Sequence, residues 1–337
     1  MILVTGGTGL VGAHILFDLC SKNLQVKAIK RANSSLYLIE SLFSFYAPDT
    51  YLKLLGNINW VEADLREIDS LIEATTNIDM VYHAAAIVSF RNKDAKQMLK
   101  ANIEGTANLM NACKINKVKK IGHISSVAAL GPAADAAPSS ELNQWEVSTN
   151  NSAYAISKYG AEREVWRISH EGMDVVMINP SLITGPGDWT KSSTAIFKTV
   201  YDGLKFYSLG RTGFVDVRDV SRTIIYLVES NITSERYVIS SENLSWKQIL
   251  TMIADAFDKK PPHLKATRIK VAIAWRILKL FSWISGKEPR ITKESARASL
   301  RERHFSNEKI LGVMDIEFMP IKQSIDDATR FISRFYL

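Results

Sequence analysis

The amino-terminal stretch Met1–Gly12 reads MILVTGGTGLVG and joins a short apolar run to four closely spaced glycines. Ile2–Val4 has the composition of a buried strand, and Val11–Ser21 carries apolar residues at helical spacing. A glycine turn between a strand and a helix lets backbone N–H groups approach a pyrophosphate at the helix N-terminus. We therefore expect a dinucleotide site rather than an ordinary glycine turn, formed by Gly6, Gly7, Thr8, Gly9, Leu10, Val11 and Gly12.

Apolar runs of strand length alternate with helical patterns through the first 180 residues. The predicted strands after the first are Gln25–Ile29, Ile58–Val61, Met80–His83, Lys119–Ser125 and Asp174–Asn179. The predicted helices between them are Leu65–Ala74, Asp94–Lys114 and Ala153–His170. This alternation predicts an α/β protein with a doubly wound parallel sheet, the Rossmann fold, covered by helices on both faces.

The pattern changes after Asn179, where prolines and glycines interrupt it. Helices are predicted near Ser192–Tyr201, Asp219–Ser230, Ser245–Phe257, Arg268–Ser285 and Ile321–Arg334. Short strands near Phe214–Val217 and Arg236–Ile239 are expected either to extend the sheet or to pair in the lobe. We expect a dinucleotide-binding domain over residues 1–180. Residues 181–337 are expected to form a smaller, mostly helical substrate lobe, of which about 205–240 returns to the sheet.

Composition narrows the class of protein. The chain has 337 residues and only two cysteines, Cys20 and Cys113, which are too few for a disulfide framework or a cysteine metal site. We expect no metal. Because the first strand begins at Ile2, and because no run of 18 apolar residues occurs, we expect neither a signal peptide nor a membrane span. These features predict a cytoplasmic protein.

The positive charge is concentrated near the C-terminus. The whole chain carries a net charge of +7, yet residues 259–309 alone hold fourteen Lys or Arg and four Asp or Glu. Residues 268–285 within this region read RIKVAIAWRILKLFSWIS, an amphipathic pattern. We favour packing against the chain's own domain over peripheral contact with a membrane, and a homodimer contact is a further alternative. No nucleic-acid partner is expected.

Tyr154 and Lys158 stand four residues apart, which places both side chains on one face of a helix. A nearby ammonium favours the phenolate and lowers the pKa of a tyrosine, so that the phenol can exchange a proton with an alcohol or an alkoxide. Ser126 follows the fifth strand and can donate a hydrogen bond to a substrate carbonyl. These three residues form a candidate catalytic set for a small-molecule substrate.

Together these motifs resemble the extended short-chain dehydrogenase/reductases over nearly the whole chain. The matching stretches are Thr5–Gly12, Asp64-Leu65, His83-Ala84-Ala85-Ala86, Asn102, the Ser126/Tyr154/Lys158 set, Asn179-Pro180 and Phe214–Val220. The resemblance implies a catalytic role for Asn102 in a water relay. It implies cofactor contacts at Asp64, Leu65, Ala84, Ala85, Ala86, Lys158 and Pro180. This chain has Asn179 where the family's stretch beside the nicotinamide has Arg.

The family divides by chemistry, and the residues after Ser126 bear on the division. The Asp-Glu pair of sugar-nucleotide dehydratases is replaced by Val127-Ala128, and the tyrosine of galactose-type epimerases by Leu130. Ser125–Pro132 resembles the 3β-hydroxysteroid dehydrogenase and dihydroflavonol reductase branch. This resemblance implies hydride transfer at one carbonyl or secondary alcohol of a small, largely apolar substrate. The alternatives are a nucleotide-sugar epimerase or 4-ketoreductase, and a dinucleotide-sensing protein without turnover.

The residues after the second strand bear on the choice of cofactor. NAD sites often place a carboxylate there for the ribose hydroxyls, whereas this chain has Lys30 and Arg31, which can bind a 2′-phosphate. The sequence therefore favours NADP, with NAD as the alternative.

Overall fold

The computed structural model describes residues 1–133, 137–267 and 299–337. Its centre is a seven-stranded, all-parallel sheet in the order β10-β6-β5-β4-β1-β2-β3. The strands are β1 Ile2–Thr5, β2 Val26–Lys30, β3 Ile58–Glu62, β4 Met80–His83, β5 Lys120–Ile124, β6 Asp174–Pro180 and β10 Glu235–Ile239. The predicted doubly wound parallel sheet is confirmed, and the six strands predicted within the first 180 residues end within one residue of their predicted bounds.

Helices cover both faces of this sheet. The longer ones of residues 1–229 are α1 Leu10–Ser21, α2 Tyr37–Tyr46, α4 Ile68–Thr75, α6 Gly105–Ile115, α7 Ala153–His170 and α9 Val217–Glu229. On one face α1 packs against α2 and α9, and on the other α6 packs against α4 and α7. Each interface encloses its own cluster of buried aliphatic side chains. Both faces are thus sealed, which leaves the strand ends as the place for a ligand.

Two segments differ from the prediction in the first half of the chain. The sequence pattern missed α2 and the short helix α3, Tyr51–Leu55. The helix predicted over Asp94–Lys114 is three joined pieces: α5 Ala95–Leu99, a π-helical turn Lys100–Glu104, and α6. Helix α4 begins at Ile68 rather than Leu65, because Asp64–Glu67 forms a turn in which Glu67 N–H donates to Asp64 carbonyl.

The C-terminal part builds smaller sheets beside the main one. A three-stranded sheet runs in the order β11-β9-β7, and β12 pairs with β8. These strands are β7 Leu182–Thr184, β8 Phe206–Tyr207, β9 Arg211–Asp216, β11 Glu242–Ser245 and β12 Leu264–Lys265. The helices are α8 Ala195–Tyr201, α10 Trp246–Ala256, α11 Glu308–Leu311 and α12 Ile321–Phe335, and α8, α10 and α12 share an apolar cluster. The predicted helix Arg268–Ser285 lies outside the described residues.

The C-terminal helix α12 is fastened to the first half of the chain by aromatic contacts. Phe331 and Phe335 lie within 5.4 Å and 6.5 Å of the ring centre of Phe45 in α2. The Tyr37 hydroxyl donates to Phe335 carbonyl at 2.6 Å. Across the three described ranges, none of the helices has the length and apolarity needed to cross a bilayer.

The glycine turn that follows β1 leaves no room for a side chain at position 12. Gly6 has φ of +70°, and a Cβ placed on Gly12 would lie 2.2 Å from the carbonyl oxygen of Gly6. Such a distance is impossible for a real side chain, so any residue but glycine at position 12 must push the turn and α1 apart.

We predict that Gly12→Ala lowers the free energy of unfolding by about 1 to 3 kcal/mol, because the added methyl group overpacks a backbone contact. Urea unfolding followed by circular dichroism measures this. Gly312→Ala is the matched control, since its Cβ would lie at an ordinary 3.5 Å from Lys309 carbonyl. Equal stability of the two variants would contradict the prediction.

Candidate functional site

The N-terminus of α1 is suited to bind an anion. Helix α1 begins at Leu10, its N-cap is Gly9, and no side chain caps its first amides. Its first turn also contains no acidic residue. Gly9 N–H donates to Gly6 carbonyl at 2.9 Å, which fixes the turn. Uncapped amides and the positive end of the helix dipole are what a pyrophosphate binds, so these residues fit a dinucleotide.

The segment after β4 lies directly against this turn. A Cβ on Gly6 would be 2.6 Å from the amide nitrogen of Ala85. Ala84 N–H donates to Thr5 carbonyl at 3.2 Å, and Ala85 N–H donates to the Thr5 hydroxyl at 3.3 Å. Strands β1 and β4 are the neighbours between which the strand order reverses. The glycine turn and Ala84-Ala85-Ala86 therefore meet at the crevice where doubly wound sheets bind ligands.

His83 is hydrogen-bonded to two of the elements that border the crevice. Its Nδ1 lies 2.8 Å from the Thr5 hydroxyl and its Nε2 lies 2.9 Å from the Thr106 hydroxyl. Burial lowers the pKa of His83 to about 3, so the ring is neutral at physiological pH. The imidazole thus ties β1, β4 and α6 together without bringing a charge to the crevice.

The two cations after β2 differ in their surroundings. Lys30 forms an ion pair of 3.6 Å with Glu62, its cross-strand neighbour on β3. Arg31 is exposed at the start of a turn in which Ser34 N–H donates to Arg31 carbonyl at 2.9 Å. Among the residues that the structure describes, the Arg31 guanidinium makes no ion pair. Arg31 is therefore the cation better placed to meet an added phosphate.

Asp64 and Leu65 lie in the turn after β3. Both Asp64 carboxylate oxygens accept from the Arg66 guanidinium, at 3.0 and 2.7 Å. These hydrogen bonds lower the pKa of Asp64 to about 2. Leu65 packs on Gly105 of α6, where a Cβ would lie 2.9 Å from the Leu65 Cβ. The Asp64 carboxylate, which the resemblance places beside the adenine, is thus bound by Arg66.

Lys158 is buried at the C-terminal end of β5. Only 3% of the residue is exposed, and its ammonium donates to Ile124 carbonyl at 2.9 Å. Burial lowers the pKa of Lys158 to about 8, and the nearby carboxylate of Glu162 opposes this shift. The side chain is therefore still predominantly a cation at neutral pH. The carbonyl group that binds it, that of Ile124, lies two residues before Ser126 in the chain.

Tyr154 and Ser126 approach each other at the same strand end. Burial raises the pKa of Tyr154, and a hydrogen bond with the Ser126 side chain partly offsets that rise. The net direction is opposite to the lowered pKa that the Tyr154–Lys158 spacing predicts, because a buried phenolate would lose its hydration. The phenol therefore keeps its proton at neutral pH. Ser126 also accepts from Ala128 N–H at 3.2 Å and so caps the short turn Val127–Ala129.

Asn102 links two parts of the site by side-chain hydrogen bonds. Its side chain accepts from Ile87 N–H at 2.7 Å and donates to Ile87 carbonyl at 2.9 Å. It also donates to the Ser157 hydroxyl at 3.0 Å, and Ser157 donates to Tyr154 carbonyl at 2.8 Å. These bonds connect the segment after β4 to the helix that carries Tyr154. The water relay that the resemblance implies stays a prediction.

Asn179 and Pro180 end β6, next to β5 in the sheet. Asn179 Nδ2 donates to Ser126 carbonyl at 2.9 Å and to the Glu162 carboxylate at 2.5 Å. The residue that departs from the family pattern is thus in contact with the candidate catalytic set. Pro180 aligns with Ile239 of β10.

Three residues near the site were missed from the sequence. Phe90 lies edge-on to Tyr154, with ring centres 5.6 Å apart. The buried Glu162 forms an ion pair of 3.1 Å with the partly buried Arg236. A helical spacing of four could have indicated Glu162, because it continues the face that carries Tyr154 and Lys158. Phe90 and Arg236 had no such local signal.

Known proteins resemble this chain in sequence and in fold. The chain is 29% identical over 273 residues to tetraketide alpha-pyrone reductase 2 of Arabidopsis thaliana, covering 77% of this chain and 83% of that protein. It is 27% identical over 266 residues to sterol demethylase protein B of Methylococcus capsulatus, covering 78% and 76%. The crystal structure of gox2253 matches with a TM-score of 0.81 and 28% identity, covering 100% and 98%.

The fold recurs in more distant enzymes, such as UDP-glucose 4-epimerase of Thermus thermophilus in complex with NAD, with a TM-score of 0.75 at 19% identity over 98% of both chains. The family model described as NAD dependent epimerase/dehydratase family matches residues 2–240. Because this match spans well over half of the chain, the protein belongs to that family, the extended short-chain dehydrogenases and reductases.

Proposed function

We propose that this protein is an NADP-dependent reductase that transfers hydride to the carbonyl group of a small, largely apolar substrate. The observation that carries the proposal is the convergence of Ser126, Tyr154 and buried Lys158 at the end of β5, beside the crevice of the glycine turn. Val127-Ala128 supplies no acid/base pair for eliminating water. The named relatives at 27–29% identity include a reductase, which supports the same reaction class.

The chain's own residues account for the proton in this reaction. The bound nicotinamide would supply the hydride to the carbonyl carbon. Ser126 donates a hydrogen bond to the carbonyl oxygen, and the Tyr154 hydroxyl gives its proton to that same oxygen as it gains charge. The Lys158 ammonium then stabilises the phenolate. Because burial raises the pKa of Tyr154, the phenol carries the proton that reduction of the carbonyl consumes.

The surroundings of Tyr154 support an apolar substrate. Phe90 is 42% exposed and Val88 is 41% exposed. Both lie in the segment after β4 that is hydrogen-bonded to Asn102. An apolar substrate would bury this surface against the reacting carbonyl, at about 25 cal/mol for each Å² removed from water. We further propose that residues 181–337 provide most of the remaining substrate contacts.

Tyr154→Phe is expected to reduce kcat by about 10²- to 10⁴-fold, because it removes the proton donor while keeping the ring. The dissociation constant for NADPH should stay unchanged. A panel of steroid, flavonoid-like, aldehyde and sugar-nucleotide carbonyl compounds, followed by nicotinamide absorbance, identifies a substrate for this measurement. Tyr159→Phe on the next face of α7 is the control. Full activity of the Tyr154 variant would rule out the proposed acid.

Arg31→Ser is expected to raise KM for NADPH by about 10- to 100-fold, because a charge-assisted contact to the 2′-phosphate is worth about 1.5 to 3 kcal/mol. KM for NADH should change little. Lys30→Ser should have the smaller effect, since Lys30 already pairs with Glu62. If the unaltered protein used NADH as well as NADPH or better, the proposed preference would be wrong.

A further inference from the structure

A buried carboxylate lies one helical turn beyond Lys158. Glu162 is on α7 with only 1% of the residue exposed. One of its oxygens accepts from Asn179 at 2.5 Å, and the other accepts from the Arg236 guanidinium at 3.1 Å. Glu162 also exerts an attractive charge interaction on Lys158. One carboxylate is thus shared between the candidate catalytic cation and a second cation from β10.

Arg236 connects this carboxylate to the segment 137–152, which leads into α7. Its second terminal nitrogen donates to Glu141 carbonyl at 2.6 Å and lies 3.4 Å from Asn143 carbonyl. The Glu141 carboxylate in turn accepts from Val238 N–H at 2.5 Å. The planar guanidinium therefore bonds in two directions at once, which a lysine ammonium on a flexible stem does less well.

Asn179 relays the arrangement to Ser126. It donates to the Glu162 carboxylate and to Ser126 carbonyl through the same side-chain nitrogen. If Glu162 lost its partner, a buried charge would be left uncompensated, and the carboxylate would have to move toward water or take up a proton. Either change would disturb the charge beside Lys158 and the support beneath Ser126.

We infer that Arg236 is a positioning residue for the reaction: from β10 it binds the Glu162 carboxylate, and it thereby keeps Asn179 under Ser126 and the Glu162 charge on the helical face that carries Lys158. Strand β10 lies next to β6, so a guanidinium from either strand can approach Glu162 from the same side of the sheet. This inference rests on the proposed reductase function.

Arg236→Met should lower kcat by up to about 100-fold while KM for NADPH stays unchanged, because a small displacement of the proton-transfer groups is costly whereas the phosphate site is remote. Arg236→Lys should lower kcat less than Arg236→Met does. Arg167→Met is the matched control, since Arg167 pairs with Glu164 and Glu171 on the outer side of the same helix. Equal kcat values for Arg236→Met and Arg167→Met would overturn the inference.

A relocated guanidinium gives the sharper test. Asn179→Arg combined with Arg236→Ser should regain at least about tenfold of the kcat that Arg236→Ser alone loses, since an arginine on β6 can pair with Glu162 again. A purely structural role for Arg236 in holding the segment 137–152 would not be rescued from position 179. Asn179→Arg alone is the control for the lost hydrogen bond from Asn179 to Ser126 carbonyl. If that single variant keeps its kcat, a folded double variant no more active than Arg236→Ser contradicts the inference.

The titration of Lys158 provides a measurement that needs no turnover. Lysine labelled with ¹³C at Cε reports the pKa of each ammonium by NMR, and the absence of one signal in Lys158→Gln assigns it. The titratable groups that interact with Lys158 by charge are Glu162 from α7, His83 from β4 and His123 from β5, and both histidines are neutral through burial. Glu162→Gln removes the charge that favours the ammonium, so the pKa of Lys158 should fall below about 8.

The two kinds of failure can be told apart. A lowered Lys158 pKa in Glu162→Gln, with no carbonyl compound reduced by the unaltered protein, would sink the reductase proposal and leave the Glu162–Lys158 coupling intact. An active protein in which Glu162→Gln leaves the Lys158 pKa unchanged would overturn the coupling and keep the reductase. The pH dependence of kcat should follow the same shift, with activity lost at a lower pH in Glu162→Gln.

Discussion

The candidate site depends on keeping one ammonium group inside the protein. Lys158 can remain charged there because Ile124 carbonyl accepts one of its protons and the Glu162 carboxylate lies nearby. The strand end that carries Ile124 also leads to Ser126, and the helix that carries Lys158 also carries Tyr154. Compensation of a single charge thus fixes the separation of β5 and α7. The rest of the sheet supports this separation by placing β6, and beyond it β10, on the side where Glu162 needs partners.

Local features of the fold could be predicted from the sequence, because they depend on neighbours in the chain. The glycine turn, the strand alternation and the helix Ala153–His170 are encoded in spacings of two to four residues, and each appears in the structure. Helix α2 was missed because the loop residues before it gave no sign of a helix N-terminus. Its own mixed aromatic pattern also did not indicate a helix. Its aromatic face becomes intelligible only once α12, which follows almost 300 residues later, packs against it.

The candidate site also combines features that depend on chain neighbours with features that depend on the whole fold. Tyr154 and Lys158 could be placed on one helical face from their spacing alone, whereas the direction of the Tyr154 pKa could not, since burial depends on the whole fold. Arg236 is 74 residues from Glu162 and meets it only because β10 joins the main sheet beside β6. The strand signals at Phe214–Val217 and Arg236–Ile239 left open whether each strand extends the main sheet or pairs in the lobe. In the structure β10 joins the main sheet, whereas β9 belongs to the three-stranded sheet.

The π-helical turn Lys100–Glu104 has a mechanical consequence. A wider turn lets the amide of Asn102 span two elements at once, Ile87 on one side and Ser157 on the other. The segment after β4, which contains Phe90, is therefore coupled to α7 through a single side chain. Under the proposed function, a displacement of this segment when substrate binds is transmitted to the backbone of Tyr154, so that substrate binding and the position of the proposed proton donor are linked.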